Sequence, residues 1–195
     1  MLSDNNKTHS GKRRPKITRK VSATSLENAA LYYLGRFATS SENLRQVLER
    51  RILRAAKHHD TDIKACNQLV GDLIQRYLES GILNDGIYAQ TQASSMNRRG
   101  KSLRAIRARL RQKAVSSDVI DDALAVLAGE VGQLDLAAAI AYARKRRLGP
   151  YRSNIGKPKN PEKELAALAR SGFSYALALR IFEAKDIDEL ENSLF

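Results

Sequence analysis

Between Pro15 and Pro150 this chain has 134 consecutive residues without a proline. Proline interrupts a helix interior, because it lacks the amide donor and its ring clashes with the preceding turn. The same stretch is rich in Ala, Leu, Arg and Gln, which helices accommodate at low cost in free energy. Its apolar residues recur every three or four positions, which is the period of an amphipathic helix. The stretch therefore predicts an all-α protein made of consecutive helices.

The first group of helix signals defines a unit that we place at residues 24–84. It opens with Thr24-Ser25-Leu26-Glu27, in which Thr24 suits the N-cap and Glu27 the third helical position of a capping box. We expect this helix to run to about Ala38. Its inward stripe is predicted from apolar residues at helical spacing, which are Leu31, Leu34 and Phe37.

Two more helices complete this unit. A second capping-box sequence begins at Thr39 and predicts a helix over residues 41–56. A polar break separates it from a third helix over residues 63–80. Gly81 then suits the position after the helix end, and Ile82 is expected to fold back onto the last turn.

The same order recurs in two further units, at residues 85–132 and 133–195. In the second unit, Asp85 is expected to cap a helix that ends near Arg98, and two more helices follow Ser102 and Ser117.

In the third unit, a first helix is expected over residues 136–147 and a loop over residues 149–161. Asn160 suits the N-cap of the next helix, with Pro161 at its first position, and Ser174 starts the last helix.

Related sequences occupy the second helix of each unit: LRQVLERR (44–51), LRAIRARLRQK (103–113) and LAALARSGF (165–173). A three-helix unit of this size buries too little apolar surface alone, so stacked neighbours must complete its core. We therefore predict three tandem three-helix repeats that form an elongated, curved array.

The net charge of +13 is concentrated in a few segments. Residues 1–23 are polar, basic and without periodicity, and we interpret them as a disordered tail. Residues 85–113 carry eight Lys or Arg and one Asp, and residues 144–159 carry seven basic residues and no acid. Such blocks attract polyanions or acidic protein surfaces.

These blocks supply the candidate binding site. Arginine is suited to it because its planar fork can bond a phosphate or carboxylate through two parallel hydrogen bonds. The candidate partner-binding or filament-binding residues are Arg98, Arg99, Lys101, Arg104, Arg107, Arg111, Lys113, Arg144, Arg146 and Arg147. The alternative interpretation is a set of solvated helix faces that happen to use arginine.

The sequence does not support catalysis. It has no phosphate-binding loop, no CxxC and no HExxH, so we expect no cofactor, no metal and no catalytic residue. The single cysteine, Cys66, excludes an internal disulfide. No apolar run approaches the length of a membrane span. We expect a cytoplasmic monomer.

Residues 77–124 resemble the RecX family of bacterial recombination regulators. Three blocks carry the resemblance: Leu78-Gly81-Leu83-Asp85-Tyr88-Ala89, Asn97-Arg98-Gly100-Arg104 and Leu110-Arg111-Lys113-Ala114-Val115. Ala114 stands where the family usually has glycine. A weaker similarity extends over residues 25–185. Three three-helix repeats are also what that family is known for.

The resemblance implies binding to the RecA recombinase, within the groove of its filament on single-stranded DNA. It also implies modulation, usually inhibition, of the recombinase, ATPase and co-protease activities of RecA. From the residues alone, a protein that binds nucleic acid directly, with basic helices as phosphate clamps, remains the alternative.

Overall fold

The computed structural model describes residues 20–131, 133–152, 160–192 and 194. Within these residues it contains ten α-helices and no strand. The helices are α1 (Ala23–Leu34), α2 (Ser41–Ala56), α3 (Ile63–Glu79), α4 (Asp85–Arg98), α5 (Leu103–Gln112), α6 (Ser117–Val131), α7 (Leu134–Arg146), α8 (Pro161–Arg170), α9 (Tyr175–Glu183) and α10 (Ile187–Asn192). The all-α prediction is confirmed.

The helices form three tandem three-helix repeats in an elongated, curved array, as predicted. Each repeat has its own cluster of buried apolar side chains. The first lies among α1, α2 and α3, the second among α4, α5 and α6, and the third among α7, α8, α9 and α10. The residue numbers proposed for the repeat boundaries stay a prediction.

The first helix differs from its prediction at both ends. Its N-cap is Ser22, whose hydroxyl accepts from the Ser25 N–H in a capping box, so the prediction of Thr24 was wrong. The helix stops at Leu34, four residues before the predicted end, and its C-cap is Gly35, whose N–H donates to the Leu31 carbonyl. Residues 1–19 of the predicted tail lie outside the described residues, and Ala23 already belongs to the helix.

The same correction applies at two other helix starts. Ser40 caps α2 in place of Thr39, and its hydroxyl accepts from the Asn43 N–H. Asn84 caps α4 in place of Asp85. Thr39 and Asp85, the residues predicted as caps, each have another hydrogen-bond partner. The partner of Asp85 is Ser41, which belongs to a different repeat.

Three of the helix ends use glycine in a left-handed conformation. Gly81, Gly100 and Gly172, with φ of 75°, 75° and 90°, follow α3, α4 and α8. After Gly81, the buried residue that returns to the helix is Leu83, whose N–H donates to the Tyr77 carbonyl. Ile82, predicted for this role, is 54% exposed.

The third repeat agrees with its predicted caps and adds one helix. Asn160 caps α8 with Pro161 at its first position, and Ser174 caps α9. The predicted loop begins as a short 3-10 turn at Gly149–Tyr151, and residues 153–159 lie outside the described residues. The sequence did not predict α10, which is short and acidic and buries Leu190.

A recurring junction joins the second helices of successive repeats. The hydroxyl of Ser40, the N-cap of α2, donates to the carbonyl of Lys113 at the end of α5. In the same way, Ser102, the N-cap of α5, donates to the Ser171 carbonyl at the end of α8, at 2.8 Å. The C-terminus of α5 therefore abuts the N-terminus of α2, and the C-terminus of α8 abuts the N-terminus of α5.

A carboxylate completes each junction. Asp85, in the first turn of α4, accepts from the Ser41 N–H at 2.7 Å and from the Ser41 hydroxyl at 2.6 Å. Asp135, in the first turn of α7, accepts from the Leu103 N–H at 2.7 Å. Each carboxylate satisfies an amide that the preceding repeat leaves open at a helix N-terminus, where negative charge is also favoured by the helix dipole.

Candidate partner-binding site

The basic surface of the second repeat is organised by α5. Ile106 and Leu110 are fully buried and fix the orientation of this helix. Arg104 and Arg111, seven residues apart, therefore lie two turns from each other on the same exposed flank. Ala108 lies between them and is exposed, so the space beside both guanidinium groups is open to a partner.

Arg107 differs from these two arginines because it has a partner within the protein. Its guanidinium forms an ion pair with Asp121 of α6, and its side chain is 39% exposed. An exposed pair of this kind contributes only about 0–1 kcal/mol to stability. It nevertheless reduces the charge that Arg107 can offer to a ligand and ties it to the neighbouring helix.

The turn between α4 and α5 extends the basic surface. Arg98, Arg99 and Lys101 are all exposed there. Gly100, in the middle, is packed so closely on α7 that a Cβ at this position would lie 2.6 Å from the backbone nitrogen of Tyr142. Only glycine allows that approach, so the basic turn has a fixed position against α7.

The basic end of α7 adjoins this turn. The guanidinium of Arg146 lies 5.9 Å from the ring centroid of Tyr142, the residue that contacts Gly100. Arg147 is exposed and ends the helix in a left-handed conformation, with φ of 56°. The structure therefore places the basic α4–α5 turn and the basic end of α7 against the same residue, Tyr142, where the second and third repeats meet.

Arg144 is the least available member of this group. It forms an ion pair with Glu191 of α10, and its guanidinium lies 5.6 Å from the ring centroid of Tyr151. The hydrogen bond with Tyr151 and then the Glu191 carboxylate raise the pKa of Arg144 above its usual value. Arg144 stays charged, but that charge is shared with an acid of the same chain.

Lys113 lies at the end of α5, where its backbone carbonyl receives the Ser40 hydroxyl. Its side chain is half-buried, unlike those of Arg104 and Arg111. Lys113 thus belongs to the junction between repeats as well as to the basic surface.

The electrostatic character of this surface follows from its sequence. The ten residues of α5 include four arginines and no acid. Asp85, the one acid of residues 85–113, is occupied at the junction with Ser41. Arg104, Arg111 and the α4–α5 turn therefore form a cationic surface that suits phosphate or carboxylate groups.

A second feature, on the first repeat, was not predicted from the sequence. Leu31 and Phe37, predicted to face the core, are 50% and 54% exposed, and Tyr32 is 64% exposed. The core face of α1 is formed by Leu26 and Ala30. The signal in the sequence was an excess of apolar residues in Leu31-Tyr32-Tyr33-Leu34, more than one helix face can bury.

The described part of the chain has neither a metal-binding cluster nor a single helix that could span a membrane. It contains no group of three His, Cys, Asp or Glu residues placed to hold a metal ion. No single helix there has the length and apolar composition of a membrane span. The segments 117–130 and 134–151 meet that criterion only as a pair, with a bend of 78° between them.

Comparisons with known proteins agree on one family. The family model described as "RecX, second three-helix domain" matches residues 84–124. A protein named Regulatory protein RecX from Myxococcus xanthus is 42% identical over 88% of this chain and 91% of its own length. Another of the same name, from Agrobacterium fabrum, is 33% identical over 82% and 85%. The crystal structure of RecX from Lactobacillus salivarius superimposes with a TM-score of 0.57 at 22% identity, covering 87% of this chain and 97% of that chain.

Proposed function

This chain belongs to the RecX family of regulatory proteins, and on that premise we propose that it binds RecA and the RecA filament on single-stranded DNA. It inhibits the recombinase, ATPase and co-protease activities of RecA by binding, without a catalytic step or a cofactor. It acts as a monomer in the cytoplasm.

The observation that carries this proposal is the cationic surface of α5 and the α4–α5 turn. Arg104 and Arg111 are exposed on one flank, and no acid of α5 compensates them. A filament presents phosphates and acidic side chains at regular intervals, and arginine can bond either group through its planar fork. An elongated repeat array suits such a partner, because it can make contacts along a groove over several helices.

The second candidate function is direct binding of nucleic acid without RecA. The exposed Arg98, Arg99 and Lys101 favour it, since a basic turn at the start of a helix is a common phosphate contact. A stand-alone binder would be strongly sensitive to salt, because each neutralised phosphate releases counterions. It would also bind bare single-stranded DNA as tightly as it binds the filament.

The first experiment is a titration of this protein into RecA on single-stranded DNA, with the ATPase rate as the readout. We expect the rate to fall as the protein is added at about 0.15 M salt. An unchanged ATPase rate, together with tight binding to the DNA alone, would move the function to the second candidate.

The second experiment locates the contact. Arg104→Glu with Arg111→Glu should weaken filament binding about tenfold or more, because two attractive contacts become repulsive. Arg107 is left unchanged, since its reversal would place a second acid beside Asp121. Lys64→Glu with Arg180→Glu, at exposed sites on α3 and α9, changes the net charge equally and is the control. If both variants lose the same affinity, total charge and not the α5 surface governs binding.

A further inference from the structure

The first repeat carries a groove that differs in character from the cationic surface of α5. It runs between α1 and α2 and encloses a volume of about 450 Å³. Ala29, Val47 and Leu48 contribute to its lining, together with the rings of Tyr32 and Tyr33. The groove is thus apolar inside and has aromatic walls.

Large apolar side chains around this groove are exposed. Tyr32, in its lining, is 64% exposed, and Leu53, in a neighbouring cleft, is 52% exposed. Phe37, 54% exposed, packs its ring against Tyr33 with 5.1 Å between centroids. Exposed apolar groups are common singly, but a cluster of them with a polar rim is typical of an interaction surface.

The rim of the groove is basic. Arg51 and Arg54 of α2 line it, and Arg36 places its guanidinium 4.4 Å from the ring centroid of Tyr32. Arg54 also lines an adjoining cleft with Arg50 and Lys57. None of the described residues that line either cavity is Asp or Glu. A ligand that matches this surface has an apolar face and negative charge.

We propose that this groove receives an amphipathic acidic helix of the recombinase, as a contact separate from the α5 surface. The inference rests on the proposed function for the identity of the partner. An amphipathic helix places apolar anchors at every third or fourth position into a groove between two helices. Its acidic residues, on the flanks of those anchors, meet Arg51 and Arg54.

The side chains favour a protein helix over a strand of nucleic acid. Nucleotide bases bind by stacking on flat aromatic or guanidinium surfaces. Tyr32 offers such a surface, but one face of its ring already carries Arg36. Val47 and Leu48 in the groove, and Leu53 in the neighbouring cleft, offer no stacking surface. They match the leucine-like anchors of a helix, and exposed Tyr and Arg are typical of protein interfaces.

The test compares two matched double variants in binding to RecA without DNA, measured by fluorescence anisotropy at about 0.15 M salt. Tyr32→Ala with Leu53→Ser removes one aromatic group from the groove and one aliphatic group from the adjoining cleft. Tyr175→Ala with Val126→Ser removes the same kinds of groups, 68% and 46% exposed, from α9 and α6. Circular dichroism checks that both variants fold, as expected for substitutions at exposed positions.

We expect the groove variant to bind RecA at least tenfold more weakly and the control to bind like the parent chain. Equal binding of both variants would overturn the inference and leave the proposed function intact. Failure of the parent chain itself to bind RecA would overturn both. Loss of binding to an oligothymidine by the groove variant, with RecA binding unchanged, would assign the groove to nucleic acid instead.

Discussion

Ala114 holds a left-handed backbone conformation, with φ of 55°, where the chain leaves α5. Glycine fills the corresponding place after α8, where Gly172 has φ of 90°. A Cβ in this region costs roughly 1–2 kcal/mol, because it approaches the following carbonyl oxygen. The turn still closes as a Schellman ending, since the N–H of Val115 donates to the Leu110 carbonyl. The second repeat thus contains a strained residue beside its junction with α2.

Ala114→Gly should relieve that strain. We expect the free energy of unfolding to rise by about 0.5–1 kcal/mol, because the relief exceeds the added entropy of the unfolded glycine. Urea denaturation measures the change. Ala108→Gly, on the exposed face of α5, is the matched control and should lower the same quantity by about 1 kcal/mol. Similar losses at both positions would contradict a strained Ala114.

Tyr77 is a second residue whose folded environment costs free energy. Its phenolic oxygen is buried and has no hydrogen-bond partner among the described residues. We expect Tyr77→Phe to leave the free energy of unfolding unchanged or to raise it by up to about 1 kcal/mol, since no hydrogen bond is lost. Tyr33→Phe is the control: Tyr33 accepts from the Asn43 amide at 3.2 Å, so its loss should destabilise the protein. A clear loss of stability in Tyr77→Phe would show that the Tyr77 hydroxyl does have a hydrogen-bond partner.

The pH dependence of stability gives a further test of Tyr77. Burial, and then the Glu27 carboxylate, raise the pKa of Tyr77 above 10.0. The folded state therefore favours the neutral phenol, and this contribution to stability is complete below pH 10 and is lost as the pH rises through the folded pKa. The midpoint temperature of thermal unfolding should fall more steeply with pH above pH 10 in the parent chain than in Tyr77→Phe. Parallel curves would contradict this assignment.

At the scale of helices, the same hydrogen-bonded junction recurs between successive repeats. Ser40 and Ser102 cap the second helices and donate to the end of the next repeat's second helix, while Asp85 and Asp135 cover the first open amide. The third repeat lacks the need for such a carboxylate, because Pro161 at the first position of α8 has no amide hydrogen. The start of α8 thus differs from the starts of α2 and α5, whose first amides need an acceptor.

Asp135→Ala should weaken the junction between the second and third repeats. The Leu103 amide would lose its acceptor, and we expect the free energy of unfolding to fall by about 1–2 kcal/mol. Asp122→Ala, at an exposed position of α6, is the control and should change it by less than about 0.5 kcal/mol. Equal effects in urea denaturation would show that the Asp135 carboxylate contributes nothing special to the junction.

Helix starts and stops were predictable to the extent that they depend on local chemistry. Ser102, Asn160 and Ser174 cap the helices they were expected to cap, and Gly81 follows the end of α3 as expected. The prediction for Asp85 was wrong because its carboxylate, although suited to an N-cap, accepts a hydrogen bond from Ser41, 44 residues earlier in the chain. A bond between repeats leaves no local pattern, so only the folded arrangement reveals it.

At the scale of the whole molecule, the two candidate surfaces differ in how far the sequence predicts them. The cationic surface follows from a block of arginines without acids, which any helix must expose. The position of this surface next to the basic end of α7 was not predictable, because it depends on the close contact of Gly100 with Tyr142. The groove was missed because the rotation of α1 is set by packing, which buries Leu26 and Ala30 and leaves Leu31 and Tyr32 outside.

The head-to-tail junction of α5 and α2 separates these two surfaces. About two and a half helical turns lie between Arg104 and Lys113 on α5, and nearly four more lie between Ser40 and Arg54 on α2. Substitutions this far apart, without shared partners, normally have additive effects on binding free energy. A partner that spans both repeats should therefore lose affinity independently at each surface.

Combining the two double variants tests whether one partner engages both surfaces at once. We expect the quadruple variant, Arg104→Glu, Arg111→Glu, Tyr32→Ala and Leu53→Ser, to lose the product of the two separate fold-changes, to within about twofold. Dissociation constants for the RecA filament at about 0.15 M salt measure this, with the quadruple variant of Lys64, Arg180, Tyr175 and Val126 as the control. A quadruple variant no weaker than the weaker double variant would mean that one surface stops contributing once the other is lost, so the two surfaces are not independent. A loss far beyond the product would mean that the surfaces are alternative contacts, each able to hold the partner alone, and the length of the array would then not contribute to affinity.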